Sequence, residues 1–247
     1  MPLIKKLLFL FMAPAVISFA TQCYSMPDDN WQLDDTPAEM SDDEEIALGR
    51  QVDEYIRHQF YLETDPEFNA AVNNIVQKLV AVSDRNKLPF TCAILQSLSI
   101  NAFSAPGGHI YLTCGLLQFA QTEDEVAGII GHEVAHASLQ HASKFYHEVM
   151  EFLSHKGEGI NSATKLLLLN SHLEEFEQDA DTTGVLYAQK AGFNPNGLLD
   201  FLERHLNLIM HKGLFGMFGM SGHNSSPTIN SRIIHLKEYI STLERKK

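Results

Sequence analysis

The stretch Gly131-His132-Glu133-Val134-Ala135-His136 decides the fold of this chain. Two histidines four residues apart on a helix project from the same face, about one turn from each other. This spacing suits two corners of a tetrahedral zinc site, and Glu133 lies close enough to act on a metal-bound water without binding the metal. The alternative is an exposed helix that carries these residues by chance, because the motif is short. A third ligand elsewhere in the chain would decide between the two.

A second acidic segment offers that ligand. Catalytic zinc needs three protein ligands and a fourth position for water. Position 142 is alanine, which excludes a histidine six residues after His136. Glu177 and Asp181 lie four residues apart, so both can face the metal helix. We expect Glu177 to bind the zinc and Asp181 to accept a hydrogen bond from a ligand imidazole, which fixes the tautomer of that ring. The alternative is a solvated acidic helix face, which the small and apolar residues Ala180, Gly184, Val185, Leu186 and Ala188 disfavour.

The residues around the motif also favour a buried metal helix, because Val126, Ile129, Ile130 and Val134 are apolar. His141 follows the motif but is offset by one residue from the face that carries His132 and His136. We predict that it points away from this face and either packs in the interior or supports a ligand from behind.

These motifs resemble the HtpX-like and CAAX-prenyl-protease-like zinc metallopeptidases, and in particular their soluble periplasmic branch typified by BepA and LoiP. The resemblance spans roughly residues 41–240. Further matching segments are Asn101-Ala102-Phe103, Pro106-Gly107-Gly108, Ile110-Tyr111, Gly115-Leu116-Leu117, Glu177-Gln178-Asp179-Ala180-Asp181, Ala191-Gly192-Phe193-Asn194-Pro195, and Pro227 with Arg232. The resemblance implies a zinc-dependent endopeptidase, with one zinc per chain, that acts on misfolded or assembling envelope proteins.

The resemblance also implies that an extended substrate pairs with an edge strand near the cleft, with Asn101, Phe103 and Tyr111 as candidate contacts. One position departs from the family pattern, since Ser226 stands where periplasmic relatives usually carry a histidine. His223 is a candidate substitute, and it follows a segment in which residues 213–222 carry a glycine at every third position. We interpret this segment as a lid over the site or, alternatively, as an irregular packed connection.

A competing class of function is a binding module. Such a protein would hold unfolded or assembling envelope proteins in its cleft with little turnover. Glu133 is better explained by catalysis, because a binding module has no need of a general base beside the metal.

The ends of the chain differ in composition from its centre. Residues 1–20 carry two lysines before an apolar run with small residues near its end, which is typical of a secretory signal and too short for a comfortable membrane span. Residues 21–40 are predicted to be an acidic linker and residues 41–247 the zinc metallopeptidase domain. We therefore expect a periplasmic protein, with an uncleaved anchor as the alternative. Cys23 is not expected to be lipidated, because Gln22 precedes it where a small residue is usual.

The net charge limits the classes of partner. Removal of residues 1–20 would take the formal charge from −13 to −15, since they carry two lysines and no acidic residue. This charge disfavours nucleic acid and anionic lipid, so polypeptides are the expected partners. No other apolar run is long enough to span a membrane, although peripheral association with one stays open.

Capping signals predict where the helices begin. Capping boxes at residues 41–44 and 122–125 and the Asp65-Pro66 pair each open a helix, and the second box opens the metal helix. Gly192 is a C-terminal cap, and an amphipathic helix is predicted from Ser231 onward. A break in a helical hairpin is predicted over residues 156–161.

Two strand-like runs, residues 89–97 and 108–114, complete the prediction. An antiparallel pairing of these runs could bring Cys92 and Cys114 into disulfide range; otherwise they are two small buried residues. The predicted fold class is α+β, a mainly helical zincin-like metallopeptidase domain with a small β-sheet beside the metal-binding helix.

Overall fold

The computed structural model describes residues 40–144, 162–216 and 226–245. The described ranges contain seven α-helices with the bounds given below, a further helical segment at residues 141–144, one short 3₁₀ turn and a three-stranded sheet. Their order is α1 (Asp42–Gln59), α2 (Pro66–Ala81), β1 (Thr91–Leu95), β2 (Ala102–Ala105), the turn Pro106–Gly108, β3 (His109–Thr113), α3 (Cys114–Phe119), α4 (Glu123–Ser138), α5 (Ser162–Lys190), α6 (Gly197–Gly216) and α7 (Ser226–Glu244). The predicted fold class is confirmed. The predicted signal segment, the break over residues 156–161 and His223 lie outside the described residues.

The helices begin where the capping signals predict. Ser41 and Glu44 form a reciprocal capping box, and Asp65 accepts hydrogen bonds from two backbone N–H groups at the start of α2. At α4 the box is only half formed, which corrects the prediction. Thr122 accepts from the backbone N–H of Glu125, but the Glu125 carboxylate accepts from the N–H of Gln121 and from Arg204 instead.

The sheet has the strand order β1-β3-β2. β3 pairs in parallel with β1 and antiparallel with β2, so the hairpin joins β2 to β3. The antiparallel pairing that a disulfide would have needed between the two strand-like runs does not occur. Cys92 lies opposite Ile110. Ile110 itself precedes Cys114 by four residues along β3. Four residues of extended chain cover about 13 Å. The two cysteines are therefore too far apart for a disulfide, and both are free.

The two faces of this sheet bury different helices. On one face, which we call the α4 face, Ile94, Ile110 and Leu112 pack in a large cluster with residues of α2 and α4 to α7. On the opposite α1 face, Val52 and Ile56 of α1 pack against Ala93, Leu95, Phe103, Ala105 and Tyr111. The alternation of side chains along β3 assigns successive residues to opposite faces.

Helices α4 and α5 approach each other closely at Gly131 and Gly184. A Cβ atom on Gly184 would lie 2.6 Å from the backbone nitrogen of His132, so no side chain fits there. This contact lets the backbone of α5 lie directly against the metal helix, with Glu177 and Asp181 on the segment that precedes the crossing.

The C-terminal helices end and begin near the predicted signals. Gly192 has φ +91° and terminates α5, with its N–H bonded to Gln189 and the N–H of Phe193 to Ala188. α7 begins at Ser226, earlier than predicted. α6 continues through Gly213 and Gly216, so the first part of the glycine-rich segment is helical. Within the part of the chain that the structure describes, no helix is both long and apolar enough to cross a membrane.

Candidate metal centre

Helices α4 and α5 bring three predicted metal ligands together. The Nε2 atoms of His132 and His136 are 3.0 Å apart. Glu177 places one carboxylate oxygen 3.5 Å from Nε2 of His132 and the other 3.3 Å from Nε2 of His136. A tetrahedral centre with ligand bonds of about 2.0–2.2 Å has ligand separations of about 3.3–3.6 Å. The two distances to Glu177 match this spacing and the distance between the histidines is slightly shorter, so the three residues can hold one divalent metal ion and leave a fourth position for water.

Asp181 lies behind His132. Its Oδ1 atom is 2.9 Å from Nδ1 of His132, on the side of the ring opposite Nε2, and the residue is fully buried. A hydrogen bond here places the ring proton on Nδ1 and leaves Nε2 free for a metal.

Arg232 of α7 joins two acidic residues of α5. Its Nε and Nη2 atoms donate to the two carboxylate oxygens of Asp181 at 2.8 and 2.6 Å, and Nη1 lies 2.7 Å from Glu177. The sequence placed Arg232 in a family pattern but assigned it no contact at the site. Its spacing after Pro227 was the available signal, but spacing alone does not identify its partners.

The charges at the site are strongly coupled. Burial raises the pKa of Glu177 and of Asp181, but Arg232 and His132 outweigh it and hold both pKa values below their ordinary range. Burial and Arg232 lower the pKa of His132, yet Asp181 and Glu177 together raise it to about 9. In the metal-free protein His132 therefore holds a proton at neutral pH, and a metal ion must displace it.

Glu133 adds a third carboxylate. It follows His132 on α4, is 6% exposed, and its charge contributes to the raised pKa of Arg232. Three carboxylates thus share one guanidinium at this site. Glu133 and Asp181 are buried and Glu177 is partly exposed, so this surplus of negative charge is costly unless a cation balances it.

His141 does not point away from the site, which corrects the prediction. α4 ends at Ser138, and Gln140 adopts a left-handed conformation with φ 57°, so the chain turns back toward the helix. Nδ1 of His141 lies 2.9 Å from Nδ1 of His136. The ring stacks on Phe176 with centroids 4.5 Å apart, and burial lowers the pKa of His141 to about 3.

The predicted substrate contacts have different environments. Tyr111 and Phe103 stack on the α1 face with centroids 4.9 Å apart, and the Tyr111 hydroxyl donates to Asp53 at 2.7 Å. Both side chains are buried in packing contacts, which argues against their predicted role. Asn101 is partly exposed at the start of β2 and stays a candidate. β2 is an edge strand and contacts α4.

Comparison with known proteins identifies the family of the chain. A model of peptidase family M48 matches residues 66–240. The beta-barrel assembly-enhancing protease of Escherichia coli K12 is 24% identical over 216 residues, which cover 79% of this chain and 43% of that protein. The putative beta-barrel assembly-enhancing protease of Vibrio cholerae is 26% identical over 182 residues, covering 66% of this chain and 38% of the relative.

A mitochondrial protein is similar as well. The metalloendopeptidase OMA1 of Schizosaccharomyces pombe is 25% identical over 186 residues, which cover 71% of this chain and 54% of that protein. The chain therefore spans between 38% and 54% of the length of these three relatives.

Proposed function

This chain belongs to peptidase family M48, and on that premise we propose that it is a zinc-dependent endopeptidase acting on misfolded or assembling envelope proteins. The observation that carries the proposal is the triangle of ligand atoms from His132, His136 and Glu177, with Glu133 buried beside it. The names of the relatives, two beta-barrel assembly-enhancing proteases and a metalloendopeptidase, support the reaction and the substrate class.

Each polar residue of the site has one task in this proposal. When bound, one zinc ion per chain would polarise the scissile carbonyl and lower the pKa of its water toward about 7. Glu133 accepts a proton from the attacking water and delivers it to the leaving amine. Asp181 holds His132 with Nε2 toward the metal, and Arg232 holds Asp181 and Glu177 in place.

The substrate is proposed to bind as an added strand. β2 is an edge strand in contact with the metal helix, so its outer backbone groups can pair with an extended peptide that crosses the site. Backbone pairing tolerates many side chains, which suits a peptidase for misfolded proteins. Asn101, directly before β2, is the candidate contact that this arrangement retains.

Export to the periplasm is part of the proposal. It is supported by the signal pattern of residues 1–20 and by the envelope-related names of the bacterial relatives. The proposed organisation is a signal over residues 1–20, a linker over residues 21–40 and a peptidase domain from residue 41 onward. The role of His223 in a lid over the site stays a prediction.

One comparison of variants tests the proposed reaction. Cleavage of unfolded casein and zinc content are measured for the wild type, for Glu133→Gln, and for Glu54→Gln, a control at an exposed position of α1. We expect Glu133→Gln to keep its zinc and to lose about 10²–10⁴-fold in turnover, since it removes only the general base. The control should cleave like the wild type.

The binding-module alternative gives a different result. A zinc-loaded wild type that binds unfolded protein without cleaving it, at the level of Glu133→Gln, would refute the peptidase proposal.

A further inference from the structure

The two metal-binding histidines have unlike partners at their Nδ1 atoms. His132 faces the carboxylate of Asp181, whereas His136 faces the imidazole of His141 at 2.9 Å. Building on the proposed function, we propose that His141 is a positioning residue: its Nδ1 accepts a hydrogen bond from Nδ1–H of His136 and so directs Nε2 of His136 to the metal.

The assignment of donor and acceptor follows from the metal geometry. Nε2 of His136 lies 3.0 Å from Nε2 of His132 and 3.3 Å from Glu177, so Nε2 is the metal-binding atom. A neutral imidazole that binds a metal through Nε2 carries its proton on Nδ1 and must donate it. Nδ1 of His141 is therefore unprotonated, and the proton of His141 lies on its own Nε2.

The local backbone delivers His141 to this position. Leu139 caps α4 with an N–H bond to Ala135, and Gln140 is the one non-glycine residue in the described ranges with a positive φ. Backbone in this region costs about 1–3 kcal/mol and persists where its surroundings hold it. Arg85 provides such a contact, since its Nη1 donates to the carbonyl of Ala137 at 3.0 Å.

A second element fixes the plane of the His141 ring. Phe176 stacks on it with an angle of 16° between the rings, and Phe176 is the neighbour of Glu177 on α5. The same turn of α5 therefore supplies one metal ligand and orients the support of another. His141 itself is 4% exposed, so water does not compete freely for its nitrogen.

There is a physical reason why His136 is supported by the neutral His141 and not by a carboxylate. The site already contains the carboxylates of Glu133, Glu177 and Asp181, against one guanidinium. A fourth carboxylate behind His136 would add another buried negative charge, whereas an imidazole accepts the same hydrogen bond without charge. Asp181 strengthens His132 as a ligand, and His141 fixes the orientation of His136.

Two substitutions separate the hydrogen bond from packing. His141→Phe keeps an aromatic ring on Phe176 but removes the acceptor, and His141→Asn places an amide oxygen near the position of Nδ1. His58→Phe, at an exposed position of α1, is the matched control. Zinc dissociation constants are measured by competition with a chelator, together with the visible spectrum of the Co²⁺-loaded proteins.

We expect His141→Phe to bind zinc about 10–100-fold more weakly and to shift the Co²⁺ bands, as is usual when the support of a ligand is lost. His141→Asn should restore both readouts to within about threefold of the wild type, a small fraction of that loss. Wild-type affinity in His141→Phe, or an equal loss in His141→Asn, would overturn the proposal. A wild type that binds no zinc would instead refute the proposed function itself.

A measurement on the unsubstituted protein does not depend on the folding of a variant. In the zinc-loaded protein labelled with ¹⁵N histidine, NMR should detect a proton on Nδ1 of His136 and a scalar coupling to Nδ1 of His141. A proton on Nδ1 of His141, or no coupling between the two nitrogens, would contradict the proposal.

Discussion

The carboxylates beside α1 and those of the candidate metal centre are balanced by cations in different ways. On the α1 face, Glu45 is paired with Arg85 at 2.9 Å and accepts from the N–H of Gly107 at 3.1 Å. Asp53 accepts from Arg57 and from the Tyr111 hydroxyl, both at 2.7 Å. Each of these two acids contacts an arginine, and Arg85 also pairs with the exposed Asp42.

The candidate metal centre has no such balance among its described residues, although Glu125, also on α4, is paired with Arg204. Glu133, Glu177 and Asp181 share Arg232 alone, so two negative charges lack a cationic side chain of fixed charge. Buried charges without a counter-charge are destabilising, and a divalent ion supplies the missing two. The comparison indicates that the carboxylates beside α1 are balanced within the protein, whereas those of the candidate metal centre need a metal ion.

The largest expected effect tests the balance of the carboxylates beside α1. Arg85→Ala should leave the Glu45 carboxylate, which is 1% exposed, without its cation. Breaking a buried ion pair on one side costs about 3–5 kcal/mol. Urea denaturation should show this loss in the metal-free protein, and at least as large a loss in the zinc-loaded protein, because Arg85 also holds the Ala137 carbonyl near the metal centre. Arg50→Ala, at an exposed position of α1, the helix that carries Glu45, is the control and should change stability by less than about 0.5 kcal/mol. If zinc abolished the loss of stability caused by Arg85→Ala, the ion pair of Glu45 would not be independent of the metal centre, which would contradict the comparison.

Metal removal tests the other side of the comparison. At a free zinc concentration about 1,000 times the dissociation constant, binding stabilises the folded protein by about 4 kcal/mol. A chelator should therefore lower the unfolding free energy by up to this amount. Hydrogen exchange should accelerate in α4, α5 and α7 and stay unchanged in α1. Equal acceleration on both faces would show that the charge surplus is not local.

Arg232→Gln should have a smaller effect. It removes the guanidinium that holds Asp181 and Glu177, so we expect zinc affinity to fall by about 10–100-fold while the protein stays folded. Chelator competition measures this change, with Arg245→Gln, at an exposed position beyond the end of α7, as the control. An unchanged zinc affinity would reassign Arg232 to packing between α5 and α7.

The smallest expected effect is a pH dependence on the α1 face. Burial raises the pKa of Asp53, but hydrogen bonds from Arg57 and Tyr111 outweigh it and lower the pKa below its ordinary value of 3.8. Asp53 therefore stabilises the fold above the pKa that it has in the unfolded chain, and this contribution is lost as the pH falls through the folded pKa. Urea midpoints from about pH 6 to pH 2.5 should decline less steeply in metal-free Asp53→Asn than in the metal-free wild type. Parallel curves would exclude Asp53 as a source of acid sensitivity.

Local signals predicted much of this structure. The cap residues Ser41 and Asp65 mark helix starts through contacts within three residues, and the four-residue spacings on α4 and α5 define faces directly. The close approach of His132, His136 and Glu177 was therefore within reach of the sequence, since it depends on two helices with fixed periodicity.

The features that sequence reasoning missed depend on distant contacts or on one unusual dihedral angle. The Glu45–Arg85 pair and the contact of Arg232 with Asp181 join residues far apart in the chain, and no local pattern specifies such partners. β2 has only four residues, too few to show alternation, so its place beside β3 was not predicted. His141 was misplaced because helical periodicity was extended past Ser138, where the left-handed Gln140 reverses the chain.

Zinc analysis of three purified proteins tests the central claim most directly. The wild type, Glu133→Gln and Glu177→Ala are freed of metal, reloaded, and measured for zinc stoichiometry and affinity. We predict about one zinc per chain in the wild type and in Glu133→Gln, and far weaker binding in Glu177→Ala, because three ligands hold the ion and Glu133 is not one of them. Zinc bound by Glu177→Ala as tightly as by the wild type would contradict the account.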